Sequence, residues 1–243
     1  MGTMAVESKT RCAIPAAYRR FLVWAQIVAV YLFLEFALWA PTPEIRNRWA
    51  AIAVIAILVF ILTDVILTDV VLIDVVLTDV SIDRSSLKRF GLGLPTISGA
   101  KVVLGAGFAT AVLMVILVSW AGGQIPANTT WPGWRLAWGY AIWAMIQEFM
   151  LQSFFFTRCE ELYGSSAAVW MASTLFAAAH LPSPVLTTAA LIGALFFCEM
   201  FRRYRSVYLL GIVHAMLGLT IAILMPDSLL HHMRVGIGYL RYR

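Results

Sequence analysis

Three side chains able to exchange protons lie inside apolar runs: Glu148 in WAMIQEFMLQSFFF, His180 at the end of STLFAAAH, and His214 in YLLGIVHAMLG. Gln147 precedes Glu148, and Gln152 follows it at i,i+4, on the same face of a helix. Phe176 stands one turn before His180, and Gly218 one turn after His214. Ionisable groups are costly in lipid and are functional hypotheses by default. A carboxylate and two imidazoles suit an activated-water mechanism. The carboxylate acts as base, a histidine shares the water, and a second polar group faces the oxyanion. For each histidine taken alone, interhelical hydrogen bonding without catalysis is the competing reading.

Other chemistries find less support. Ser153 and Ser173 are nearby hydroxyls, but neither sits in a G-x-S-x-G turn. Glu148, His180 and His214 would supply three zinc ligands with a fourth position open. No H-E-x-x-H is present, and ligands on three separate helices leave no spacing to read. No cofactor is therefore expected, with zinc as the alternative. Cys12, Cys159 and Cys198 are odd in number and widely spaced, so they form no disulfide framework and no metal motif. Glu35 and Glu199 read as snorkelling or locally paired carboxylates near span ends.

The elements that must position these groups follow from composition. Hydrophobic residues make up 61% of the 243-residue chain and charged residues 13%, about half the charged share of a soluble domain. Such a chain suits lipid. The expectation is an all-α polytopic transmembrane helix bundle of about seven spans (six to eight), each of roughly 20 residues. They fall near 20–40, 49–72, 99–121, 135–157, 166–181, 184–201 and 206–225. Residues 1–19 form a polar, cytoplasmic N-terminal segment, 20–225 a single membrane domain and 226–243 a C-terminal tail. No cleavable signal precedes the first span, which serves as its own insertion signal. Basic residues set the orientation: Arg19, Arg20, Arg84, Lys88, Arg89, Lys101, Arg158, Arg202, Arg203 and Arg205 all fall on one side, the cytoplasm. Arg234, Arg241 and Arg243 then lie outside, unless a short eighth element returns to the interface. The net charge of +5 belongs to this pattern and calls for no nucleic acid. A bacterial inner membrane is the expected compartment.

Residues 61–80 read ILTDV-ILTDV-VLIDV-VLTDV. Asp64, Asp69, Asp74 and Asp79 recur every fifth residue, an advance of about 140° per repeat on a helix. The aspartates spiral and make no single acidic face. A repeat expansion that lengthened one helix accounts for them, and the span is expected to end early in the repeat, because a carboxylate at the bilayer centre costs about 2.5–3.5 kcal/mol.

With these motifs in order, the chain resembles the CPBP family of CAAX-protease and bacteriocin-processing membrane endopeptidases. That family has E-E-x-x-x-R, then F-x-x-x-H, then a histidine followed four residues on by asparagine. The counterparts here are Gln147-Glu148-Phe149-Met150-Leu151-Gln152, Phe176-Ala177-Ala178-Ala179-His180 and His214-Ala215-Met216-Leu217-Gly218. The likeness is best over about 135–222. It implies an intramembrane peptidase that hydrolyses a peptide bond of a membrane protein or peptide substrate, with no nucleic-acid partner. Glu148 would be the base with His180, and His214 would face the oxyanion. The family's first glutamate, arginine and asparagine fall at Gln147, Gln152 and Gly218. For Glu148 to replace the base at 147, about 100° away on the helix, the helix must rotate or change register. Losing one acid and one base together is electrostatically balanced. An inactive relative acting as a scaffold or chaperone, and a small proton-coupled transporter, are the other readings.

Overall fold

The computed structural model describes residues 15–73, 84–121 and 134–241. Among them are helices and turns and no strand. The helices are α1 (Ala16–Leu38), α2 (Pro43–Ile73), α3 (Arg84–Arg89), α4 (Ile97–Trp120), α5 (Trp134–Glu148), a π segment (Phe149–Phe156), α6 (Thr157–Tyr163), α7 (Ser165–Ala178), α8 (Pro184–Tyr204) and α9 (Val207–Leu224), followed by the short α10 (Asp227–Leu230) and α11 (Ile237–Leu240).

Each expected span is helical. Five helices among the described residues are long and apolar enough to cross a membrane: Ala17–Leu38, Pro43–Asp64, Ile97–Trp120, Pro184–Tyr204 and Val207–Leu224. The other two expected spans differ for separate reasons. The run from α5 through the π segment to α6 is unbroken, but its winding changes at Phe149, so it is divided into pieces of 15, 8 and 7 residues, and it is buried from Met150 to Cys159. Helix α7 has 14 residues, a rise of only about 21 Å against a hydrocarbon core of about 30 Å. Gly164, at φ 81°, separates it from α6 in a conformation that glycine adopts without strain.

Local chemistry sets the helix starts. Thr96 caps α4 by accepting from the Gly99 N–H at 3.1 Å. Ser183 caps α8 by accepting from the Leu186 N–H at 3.4 Å, with Pro184 at the first helical position, where its missing N–H costs nothing. Helix α5 packs along α9, α9 along α4, α7 along α8, and α1 along α2.

Arg19, Arg89, Arg158, Arg202, Arg203 and Arg205 gather at one end of the bundle, while Arg46, Arg48, Arg135 and Arg241 lie toward the other. Arg19 and Arg89 both pair with Glu161, at 2.7 and 3.2 Å. Arg205 pairs with Glu160, and Arg202 and Arg203 with Glu199 at 2.8 and 2.5 Å. Arg158, 1% exposed, pairs with Asp64. The first aspartate of the pentapeptide repeat thus enters the bundle. Helix α2 continues through the repeat to Ile73; Asp74 and Asp79 lie outside the described residues, as does the side chain of Asp69. The C-terminal segment stays at the opposite end: the Gly236 N–H donates to the Leu181 carbonyl at 2.8 Å, and Arg241 donates to the Pro41 carbonyl at 2.6 Å. The short helices therefore lie across that end and do not cross back.

Candidate active site

Glu148 is the last residue of α5, and the π segment starts at the next residue. A π turn inserts an extra residue per turn and shifts the faces of everything beyond it, a feature common at functional sites. The π segment follows Glu148, so it re-registers Phe149–Phe156, while Gln147 and Glu148 keep their offset of about 100° on α5. The carboxylate is 0% exposed and both of its oxygens are engaged. His214 Nδ1 lies 2.9 Å from Oε1, and Gln152 Nε2 donates to Oε2 at 3.0 Å. Gln152, at i,i+4, is likewise fully buried. Its Oε1 makes no hydrogen bond.

Helix α9 brings His214 to this carboxylate through a face of small residues. A Cβ on Gly211 would fall 2.5 Å from Met145 Sδ, and one on Gly218 would fall 1.8 Å from Tyr140 Oη. Glycines at both positions let α5 approach closely enough for a 2.9 Å contact. The ring of His214 stacks on Phe197, with centroids 5.2 Å apart and planes at 17°. Phe176 meets it edge-on at 6.0 Å.

His180 follows the end of α7. Its Nδ1 lies 2.7 Å from the Phe176 carbonyl oxygen, and the Phe176 ring lies 4.8 Å from the imidazole. Phe176 therefore stands between the two histidines and touches both. The structure joins Glu148, Gln152 and His214 directly, and links His180 to them through Phe176. Gln147 is half-buried on the neighbouring face of α5. Ser153 donates to the Phe90 carbonyl at 2.6 Å, which commits its hydroxyl to the turn after α3. Glu35 accepts from the Trp39 indole at 3.1 Å and Glu199 is held by arginines, so both are locally paired.

Both imidazoles place Nδ1 against an oxygen. In the neutral form Nδ1–H donates there, and Nε2 keeps its lone pair free to accept a proton. His214 with Glu148 is then an oriented base of the kind seen in hydrolytic triads. Its side chain is 12% exposed and that of Glu148 0%, so the imidazole is the member of the pair that a water can reach. A zinc site fits poorly. Among the described residues no three His, Cys, Asp or Glu side chains are grouped to hold a metal ion, and the Glu148 oxygens are already bonded.

Residues 110–220, from the middle of α4 to near the end of α9, match the family model described as type II CAAX prenyl endopeptidase Rce1-like. The match covers less than half of the chain, and over that stretch the chain is similar to this family. It contains Glu148, His180 and His214, and it accords with the CPBP resemblance carried by their motifs. The family points to an intramembrane protease of the CAAX type, a hydrolase. The likeness and the five helices long and apolar enough to cross a membrane both support an integral membrane protein. No curated protein and no solved structure matches the chain.

Phe197 was not legible as a site residue. It is an ordinary residue of an apolar helix, and only the packing of α8 against α9 reveals its place.

Proposed function

We propose that this chain is an intramembrane endopeptidase that hydrolyses a peptide bond of a membrane-associated protein or peptide, a prenylated chain ending in a CAAX sequence being the first candidate. The observation that carries the reading is the buried Glu148–His214 pair inside the Rce1-like segment. His214 Nε2 takes a proton from water while Glu148 holds the resulting imidazolium. The hydroxide adds to the peptide carbonyl carbon, the C–N bond breaks, and the imidazolium returns its proton to the leaving amine. A carboxylic acid and an amine result, and the histidine is neutral again. His180, anchored on the Phe176 carbonyl, borders the same water. Glu148 thus serves as the partner of the base, because both of its oxygens are bonded and none of it is exposed. The arginine-rich end faces the cytoplasm in this reading, in a bacterial inner membrane.

The substitutions at Gln147, Gln152 and Gly218 favour a second reading, an inactive scaffold with the same fold. Purified full-length chain in detergent, incubated with a prenylated CAAX peptide, separates the two. Cleavage by wild type that is lost in His214→Ala and in Glu148→Ala supports the peptidase. No cleavage by wild type, with a cellular role that persists in the double variant, supports the scaffold.

A further inference from the structure

The turn that carries His180 is held from both of its helices. On the α7 side, the His180 N–H donates to the Ala177 carbonyl at 2.9 Å and the Leu181 N–H to the Ala178 carbonyl at 3.1 Å. On the α8 side, the Ser183 N–H donates to the His180 carbonyl at 3.2 Å. The Leu181 carbonyl is held from elsewhere: it accepts from the Gly236 N–H at 2.8 Å. Leu181 is the residue after His180, so a segment beyond α9 fixes the backbone beside this imidazole.

Gly236 is fitted to that place. Its φ of 55° and ψ of −137° strain any residue with a side chain. A Cβ there would fall 2.3 Å from the Leu38 carbonyl oxygen and 2.8 Å from its carbon, and a backbone group cannot swing aside as a side chain can. The glycine is wedged between the end of α1 and the α7–α8 turn. Beyond it, Arg241 donates to the Pro41 carbonyl at 2.6 Å. Before it, Leu230 is buried, and the His231 ring meets Tyr239 edge-on with centroids 4.4 Å apart. Between these anchors, His231, His232 and Met233 have φ of 47°, 52° and 56°. Three successive residues with side chains stay in that region only where their surroundings over-determine it. A slack tail would relax out of it, so this segment is held in shape from both ends.

We propose that residues 227–241 are a strap that fixes His180 for catalysis, with Gly236 as its positioning residue. The proposal rests on the peptidase reading, in which His180 borders the attacking water. The imidazole is tied at Nδ1 to the Phe176 carbonyl, at 2.7 Å. A shift of the turn backbone strains that tie and carries Nε2 off its line to the water. The strap acts through the Leu181 backbone and takes no part in the chemistry.

The test is a double-mutant cycle on the full-length chain with the same prenylated CAAX peptide, joined to hydrogen–deuterium exchange of the 177–184 turn. Gly236→Ala, and separately a chain ending at Arg234, are expected to lower kcat about tenfold with KM nearly unchanged, as a small misplacement of a working group does. In the His180→Ala background the same two changes are expected to cost almost nothing further, because changes that act through one residue are not additive. Exchange at 177–184 is expected to rise in both strap variants. Wild-type kcat in both variants, an equal loss in the His180→Ala background, or unchanged exchange overturns the proposal and leaves the Glu148–His214 reading standing. An inert wild-type chain defeats that reading and the strap's catalytic role with it.

Discussion

At the scale of single residues, the site is defined by which polar atoms have partners. Glu148 accepts from two side chains while fully buried, and a hydrogen bond to a charged group contributes roughly 1.5–3 kcal/mol. Replacing Gln152 by leucine keeps its volume and removes one of those bonds. The variant is expected to lose stability of about that size, read as a lowered thermal midpoint of the purified chain. An unchanged midpoint would mean that the Gln152–Glu148 contact is not formed. Glu148, His180 and His214 were legible because charge stands out against an apolar background. Their roles were not. The sequence assigned base chemistry to the carboxylate and the proposed function assigns it to the imidazole, on the strength of a 2.9 Å contact between helices far apart in the chain.

At the scale of elements, two devices bring the residues together. One is the π segment beginning at Phe149, which re-registers the buried helix beside Glu148. Hydropathy cannot reveal it, since residues 149–156 are apolar or buried whichever way the helix is wound. The other is the glycine face of α9 against α5, with a matching approach by α4, whose buried residues are Gly99, Val103, Gly107 and Ala111. Without a hydrophobic force between helices in lipid, such small-residue contacts and the packing they permit hold a bundle together. A Cβ on Gly107 would lie 2.5 Å from Val213 Cγ1, next to His214. Gly107→Val should therefore push α4 away from α9 and cost about 1–3 kcal/mol as overpacking, measured as a lower thermal midpoint together with reduced peptide cleavage. Equal stability would show that α4 does not approach α9 this closely. The length and order of the helices were legible from hydropathy; these approaches were not, because a glycine in an apolar run does not name the residue it faces.

At the scale of the whole molecule, charge divides the bundle. One end carries the interlinked arginines and their carboxylates, and the opposite end carries the C-terminal strap on Leu181 and Pro41. Arg158 is the largest buried side chain of the described residues, and Asp64 ties α2 to it. Removing one partner of a buried pair destabilises more than replacing both partners with apolar groups, although Asp64 is 24% exposed and Arg158 also meets Glu161 at 3.8 Å, which lessens the difference here. Asp64→Ala is thus expected to destabilise the chain more than Asp64→Ala with Arg158→Met, by unfolding in detergent; the reverse order would contradict a structural role for the pair. The sequence placed both residues near one interface but could not pair them, because the repeat offers four equivalent aspartates.

The central claim is that Glu148 and His214 work as one unit in peptide hydrolysis, and Glu148→Gln tests it most directly. An amide at 148 keeps the size of the side chain and its contact with Gln152, but favours the tautomer that places the His214 proton on Nε2. The account predicts that wild type cleaves the prenylated CAAX peptide and that Glu148→Gln lowers kcat by about 10⁴-fold, the scale seen when a triad carboxylate becomes an amide, with the thermal midpoint near that of wild type. Cleavage by Glu148→Gln at the wild-type rate would contradict it.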